Sequence, residues 1–456
     1  MESQGLTILV AVVGCVLIFF TRPVYGLVVY IAVLVWYPSY LAVEVASFDI
    51  TASRVITLAI FAKLFLGTNL PQYFRWIWLD KLIILCFVAE IATGATNGSL
   101  SDLIKNRIGA VFDMAIPYFA VRLILVSKEE YLRLLKGILL ISVPFAVLTC
   151  YQCLTGANPF DFLREYNARI RNGFFRPELT FSDSIMLGMF FAMFGPVCAG
   201  LLRNVQNNKL FYQAGIAFMI IGAISSVSSG PILVIILAVV FIVCYRWRRY
   251  WRTAMLVTVV MCGCVEIISN RHFYDVLGGY TMSPETAWYR SKLIDVAIFE
   301  GGMSGHWLTG FGLVDPGWSF QIDNRSQTDM VNHYLLVLCR YGLVGFIPFM
   351  SVVIVAVREI VRAFKASMSE PDRCMIWSLA GAFFGILIGL FSVSLFGPPK
   401  TILYLLFGFC GAMPRIVSET NVKILAALQH NPGFVNILQK YPALRSYRRY
   451  PVSPVK

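Results

Sequence analysis

Apolar stretches separated by short polar or basic connections recur along the whole chain. They fall at roughly 6–20, 26–37, 53–67, 79–95, 108–126, 134–154, 181–202, 210–227, 231–245, 253–269, 332–357, 376–396 and 400–417. None shows the strict alternation of a half-wet strand, and most approach the ~20 residues that carry a helix across a hydrocarbon layer. A lipid environment leaves no partner for an unpaired backbone group, so such runs form helices, unless the strands close into a barrel with a dyad pattern this chain lacks. The pattern predicts an all-α fold: a polytopic membrane helix bundle of twelve to fourteen transmembrane helices. The first two runs flank TRPVYG and form either a tight hairpin or one broken helix.

Composition narrows this picture. Hydrophobic residues make up 58% and charged residues 14% of the chain, and the mean hydropathy is +0.71, all outside the range of a soluble domain. The net charge of +13 would fit nucleic acid only if it lay on one polar surface. Instead the basic residues sit in short connections: Arg246, Arg248, Arg249 and Arg252; Arg358, Arg362, Lys365 and Arg373; Lys128, Arg133 and Lys136; and RSYRRY near the end. The positive-inside rule puts these connections in the cytoplasm. Residues 1–417 then form the membrane domain and 418–456 a cytoplasmic tail, in which ILAALQ is a candidate interfacial helix. No cleavable leader is expected, since the first apolar run lacks a basic start and a small-residue cleavage site. The eleven cysteines lie mainly in apolar runs and read as small hydrophobes, Cys150 and Cys153 included, because no histidines complete a metal spacing.

The same alternation sends two longer connections, about 155–180 and 270–331, to the outer side, where binding and catalysis are commonly carried. The first gathers Arg164, Arg169, Arg171 and Arg176, an unexpected accumulation for an outward loop. Either anionic lipid, Asp161 and Glu165 hold these side chains, or guanidinium forks bind a phosphate or diphosphate. The punctuation of RNGFFRP by Gly173 and Pro177 singles out Arg171 and Arg176. The second loop is predicted to hold a short helix from Ser283-Pro284 to Gly301-Gly302. Arg290 on that helix either pairs with Asp295 or Glu285, or faces a ligand. Gly310 and Gly312 then loosen the backbone of TGFGL before Asn332 and His333 enter the next long helix, with Arg340 two turns deeper on the same face. His333 is either a capping or core-bonded histidine or a general base, and an embedded Arg340 needs a partner or a polar cavity. Glu44, Glu90, Asp113, Asp183 and Glu266 are further embedded charges.

In this order, Arg290, TGFGL, a polar loop and NHYLLVLCRYGLVGF resemble the C-terminal signature of the bacterial O-antigen polymerase and O-antigen ligase superfamily, with its related exopolysaccharide polymerases. RNGFFRPELTFSDSIML is similar to that family's earlier arginine segment. The likeness covers most of the chain in topology and about a hundred residues in motif. One departure stands out: Val331 occupies the place of the family histidine, Asn332 matches its asparagine, and His333 follows.

The resemblance implies a metal-independent, inverting glycosyltransferase at the periplasmic face of the bacterial inner membrane, working without a cofactor. Its donor would be a polyprenyl-diphosphate-linked oligosaccharide and its acceptor a hydroxyl of another glycan, with membrane lipid around both. Chain-length regulator and flippase proteins are implied partners, and nucleic acid is not. Arg169, Arg171, Arg176, Arg290 and Arg340 would bind the diphosphate; His333, Asn332 or Asp329 would orient or deprotonate the acceptor; Gly310, Gly312, Gly342 and Gly345 would be structural. Between polymerase and ligase the displaced histidine favours the polymerase. A transporter of lipid-linked glycan or solute is the alternative of another class.

Overall fold

The computed structural model describes residues 2–45, 48–66, 74–96, 108–163, 166, 168–205, 207–269, 272, 274, 284–322 and 327–428. The structure is 75% helical with almost no strand. The helices are α1 (Glu2–Phe20), α2 (Pro23–Trp36), α3 (Ala52–Leu66), α4 (Trp78–Thr96), α5 (Ile116–Ile124, entered through a π turn, Val111–Ala115) and α6 (Lys128–Thr155). They continue with α7 (Ser184–Cys198), α8 (Lys209–Ser225), α9 (Ser229–Val243) and α10 (Trp251–Ile268). After the short α11 (Pro284–Ile294) and α12 (Ser319–Ile322) come α13 (His333–Ala366), α14 (Glu370–Gly389) and α15 (Pro398–Leu428). Two antiparallel hairpins complete the described elements: β1 (Ala42–Val45) with β2 (Phe48–Thr51), and β3 (Ile170–Arg171) with β4 (Phe174–Phe175).

Each predicted apolar run is occupied by a helix. Six helical stretches are long and apolar enough to cross a membrane: Lys128–Thr155, Ser184–Leu201, Ser229–Tyr250, His333–Ala366, Glu370–Gly389 and Pro398–Ala426. The first two runs form a hairpin of two helices. Lys63 of α3 closes it by donating to the carbonyls of Ile18 (2.6 Å) and Thr21, where the end of α1 leaves acceptors without helical partners. The last helix does not stop at 417 but runs on to Leu428, so 418–428 continue α15 and ILAALQ forms no separate helix up to that residue. Residues 429–456, Ser283 and Arg164 lie outside the described residues.

At the centre stands α7, buried at every position but Ile185 and packed on α8, α9 and α14. α15 is nearly as enclosed and packs against α13 and α5, while α4 lies along α13. The basic connections meet at one end of the bundle. There Lys128 pairs with Asp372 at 2.5 Å, Lys423 with Glu129 at 3.3 Å, and the Tyr245 hydroxyl donates to Glu370 at 2.6 Å. Beneath them Arg122, 4% exposed, donates to both oxygens of the fully buried Asp80 (3.0 and 3.1 Å) and to the carbonyls of Gly411 (3.0 Å) and Arg75 (3.2 Å). Tyr118 donates its hydroxyl to the same carboxylate at 2.6 Å. The two longer loops meet at the opposite end, called the loop end below.

Candidate functional site

At the loop end, RNGF folds as a two-residue hairpin turn. Asn172 (φ 52°) and Gly173 (φ 80°) both adopt left-handed backbone, the requirement of the tight turn that matches strand twist, and asparagine-glycine is the pair that meets it most easily. Arg171 is thereby paired across the hairpin with Phe174, and Ile170 with Phe175. The hairpin is seated on the end of α6. Gly156 (φ 76°) ends that helix, and a Cβ there would lie 2.9 Å from the Phe175 ring. Behind it, Gln152 accepts the backbone N–H groups of Glu178 (3.1 Å) and Leu179 (3.0 Å), and Thr180 donates to the Val35 carbonyl at 2.6 Å.

This scaffold divides the arginines. Arg176 is held through Nη2, which donates to Ser228 at 3.3 Å and lies 3.8 Å from Asp183, and through its carbonyl, which takes the Tyr166 hydroxyl at 2.6 Å; its buried Nε has no hydrogen-bond partner. Asp183 also caps α7 by accepting from Ile185 at 2.6 Å, so Arg176 and Asp183 fix the hairpin to the bundle. Arg169 is exposed on the hairpin's edge. Arg171 is half-buried and close enough for its charge to act on Arg290. Burial lowers the pKa of Arg290 from its usual value, the Arg171 guanidinium lowers it further, and Asp329 opposes both. The Arg290 Nε is buried without a hydrogen-bond partner. Two guanidiniums in partial burial repel each other, and the arrangement is favourable only with negative charge nearby.

Arg290 is carried on α11, which begins at Pro284 and closes through a π turn (Asp295–Phe299) to Gly301 (φ 82°), close to the sequence expectation. Asp295 accepts the Tyr274 hydroxyl at 2.7 Å. The loop has its own small core, in which Leu293, Val296, Met303 and Trp318 pack on Leu335 and Leu338 of α13. Asp315 then holds the polar return: it accepts Gly317 N–H and Thr328 N–H, each at 2.8 Å. Asp329, exposed, is positioned by its own N–H on the Tyr289 hydroxyl at 3.1 Å, one residue from Arg290.

The glycine-rich segment proves to be structural in a way hydropathy does not reveal. α13 is broken at Gly342 (φ 56°, ψ −162°), a backbone region that only glycine enters readily. TGFG is spliced into the gap. Phe311 and Gly312 donate to the carbonyls of Cys339 (2.7 Å) and Arg340 (3.0 Å), and Leu343 and Val344 donate to those of Trp307 (2.7 Å) and Leu308 (3.2 Å). Four groups that a broken helix would strand are thus satisfied by loop backbone. The approach is too close for side chains: a Cβ on Gly342 would lie 2.2 Å from the Leu308 carbonyl oxygen, and one on Gly310 2.5 Å from that of Cys339. At Gly345 the added atom would meet the Cβ of Tyr341 at 2.3 Å.

The remaining expected residues sit at the head of this broken helix. Asn332, 4% exposed, is its N-cap and accepts the Leu335 N–H at 3.1 Å. His333, 3% exposed, accepts the Leu395 N–H on Nδ1 at 3.2 Å and gives its own backbone N–H to Leu390 at 2.8 Å. Nδ1 is therefore occupied as an acceptor, and the hydrogen of a neutral ring sits on Nε2. Arg340, at the lip of the break, acts electrostatically on His333 together with Lys400 of α15. The structure thus gathers Arg171, Arg290 and Asp329 at one place, gives Arg176, Asn332 and the glycines structural bonds, and packs His333 inside.

One feature of this end was missed by the sequence reading, which singled out Asp113 but not Arg54. Arg54 donates to both oxygens of Asp113, at 3.1 and 2.6 Å, beside a cavity of about 970 Å³. A second cavity, of about 520 Å³, has Arg171 on its wall among Leu154, Phe174, Ile221 and Ile232. The cysteines are free thiols, and among the described residues no three His, Cys, Asp or Glu side chains converge on a metal-sized site. Compared with known proteins, the chain matches no family model and no curated protein sequence.

Proposed function

We propose that the chain is a multi-pass membrane glycosyltransferase of the O-antigen or exopolysaccharide polymerase type, with its loop end at the periplasmic face of the bacterial inner membrane. The observation that carries this reading is the pair Arg171 and Arg290: two half-buried guanidiniums in mutual electrostatic range, one with an idle buried N–H. A diphosphate answers both needs, because it brings charge and accepts bidentate hydrogen bonds. The apolar cavity beside Arg171 suits the lipid part of the same donor.

In the reaction, a hydroxyl oxygen of the acceptor bonds to the anomeric carbon as that carbon's bond to the diphosphate oxygen breaks. The electron pair leaves with the diphosphate, where Arg171 and Arg290 stabilise the growing charge. The hydroxyl proton passes to a base. Asp329 is exposed and next to the arginines, which suits it to the task better than His333, whose Nδ1 is engaged. Direct displacement inverts the anomeric centre. A ligase of the same type would use identical chemistry on a different acceptor.

The broken helix α13 favours a second reading, since discontinuous helices are also a transporter device. Purified protein reconstituted with polyprenyl-diphosphate-linked repeat units separates the two. New glycosidic bonds are expected, falling by about 10²–10³-fold in Arg171→Ala and Arg290→Ala. Movement of the lipid without bond formation would instead establish the transporter.

A further inference from the structure

The 970 Å³ cavity at the loop end has neither Arg171 nor Arg290 in its wall and differs from that pair in carrying charges of both signs. Its wall is built by the end of α2, the β1–β2 hairpin, the start of α3, the π turn before α5 and the start of α15, with Leu313 from the spliced loop closing one side. Among the described residues four charged ones line it, Arg54 and Lys400 against Asp49 and Asp113, and their charges balance. Arg54 is committed to Asp113 on two nitrogens and to the Asp49 carbonyl (2.6 Å) on the third. Gly109 makes room for this, because a Cβ there would lie 2.8 Å from Nη2. The pair nevertheless stays accessible, with the two side chains 25% and 38% exposed.

An anion gains nothing from such a balanced site, whereas a hydroxyl group, donor and acceptor at once, matches a carboxylate beside a guanidinium. Ser39 and Ser53 add neutral partners of the same kind. The rest of the wall includes apolar side chains, Phe112 among them, with Leu58 and Ile108 exposed at 48% and 40%. An aromatic face and adjoining hydroxyl partners suit a pyranose ring, and the exposed aliphatic side chains extend the site towards an attached chain.

We propose that this cavity binds the sugar end of a membrane-anchored, uncharged glycan, which on the transferase reading is the acceptor. Donor and acceptor then occupy chemically distinct sites at one end of the bundle: a cationic one on Arg171 and Arg290, and a charge-balanced one on Arg54 and Asp113.

The test uses the purified full chain in nanodiscs and an octyl glucoside carrying a photoreactive diazirine, with labelled peptides mapped by mass spectrometry. Labelling is expected in 48–58 and 108–114. It should fall about tenfold, the loss of about 1.4 kcal/mol of binding, in Leu58→Trp and Ile108→Trp. Both substitutions fill the cavity from exposed positions, and Arg290→Ala should label like the parent chain. Labelling confined to other segments, or indifferent to the filling variants, overturns the proposal. So does competition by an alkyl phosphocholine as strong as that by an alkyl maltoside, since any lipid headgroup would then suffice. Bond formation by the same preparation is read separately. Bonds without labelling refute the cavity and leave the transferase standing; labelling without bonds supports the cavity and counts against the transferase.

Discussion

Arg122 and Arg290 are both arginines withdrawn from water, at opposite ends of the bundle, and they are treated in opposite ways. Arg122 spends its donors on Asp80, Gly411 and Arg75, and Tyr118 completes the network. Arg290 faces another guanidinium and keeps a buried N–H idle. A buried charge whose partners are all intramolecular is part of the fold. One left short of partners beside a like charge is a liability unless something else binds there. The difference teaches that an arginine withdrawn from water is read here by the charge beside it, a carboxylate for Arg122 and a second guanidinium for Arg290.

The comparison is broken most directly by removing each side chain. Arg122→Ala strands Asp80 in the interior and should cost about 3–5 kcal/mol, visible as a large fall in melting temperature of the solubilised protein. Arg290→Ala relieves a repulsion and should leave the melting temperature unchanged or slightly higher. If the two variants melt together, the distinction is wrong. Next in size, Gly342→Ala forces a side chain into a glycine-only conformation against the Leu308 carbonyl, at a cost of about 1–3 kcal/mol. Hydrogen exchange should then rise at the amides of Phe311, Gly312, Leu343 and Val344 while the Arg122 network stays protected. Uniform deprotection would show that the splice is not a local unit.

The smallest effect is expected at Asp315. Burial alone would raise its pKa, but the N–H groups of Gly317 and Thr328 outweigh this and hold it below the usual carboxylate value. A depressed folded pKa contributes stability above the unfolded value of about 3.9, and that contribution is lost as pH falls through the folded one. Protease cleavage between 315 and 328 should therefore increase on acidification, and Asp315→Asn should be cut faster at neutral pH with a flatter response. An unchanged acid response in that variant would remove Asp315 from the role.

The helices were legible because each apolar run speaks for itself: burial and lipid impose one period over one continuous segment. The Pro284 start was legible for the same reason, being local backbone chemistry, whereas RNGFFRP was read only as punctuated by Gly173 and Pro177 and not as a hairpin. The break in α13 was not legible, since Leu343 and Val344 are as apolar as a continuous helix requires and the partners of their N–H groups, Trp307 and Leu308, lie 36 residues earlier. Arg54 with Asp113 was hidden in the same way, by a separation of 59 positions. His333 was legible only as two alternatives, and what distinguishes them, the Leu395 N–H, belongs to the approach to α15. Residue type announces chemistry, but whether a polar atom is already engaged is decided by distant backbone.

The splice at Gly342 also makes a noose of the chain. Residues 312 to 339, Asp329 among them, leave and return through the same four backbone hydrogen bonds, so the span they enclose has both feet on one knot. Such a span cannot pay out or take in length without undoing the knot. Adding one residue between Leu308 and Gly312 would shift the alignment of the whole knot, whereas insertions within the enclosed span cost only the slow logarithmic price of a longer loop. The segment's tolerance to change is therefore inverted: its most ordinary-looking glycines are its fixed points, and its polar stretch is where this protein can vary.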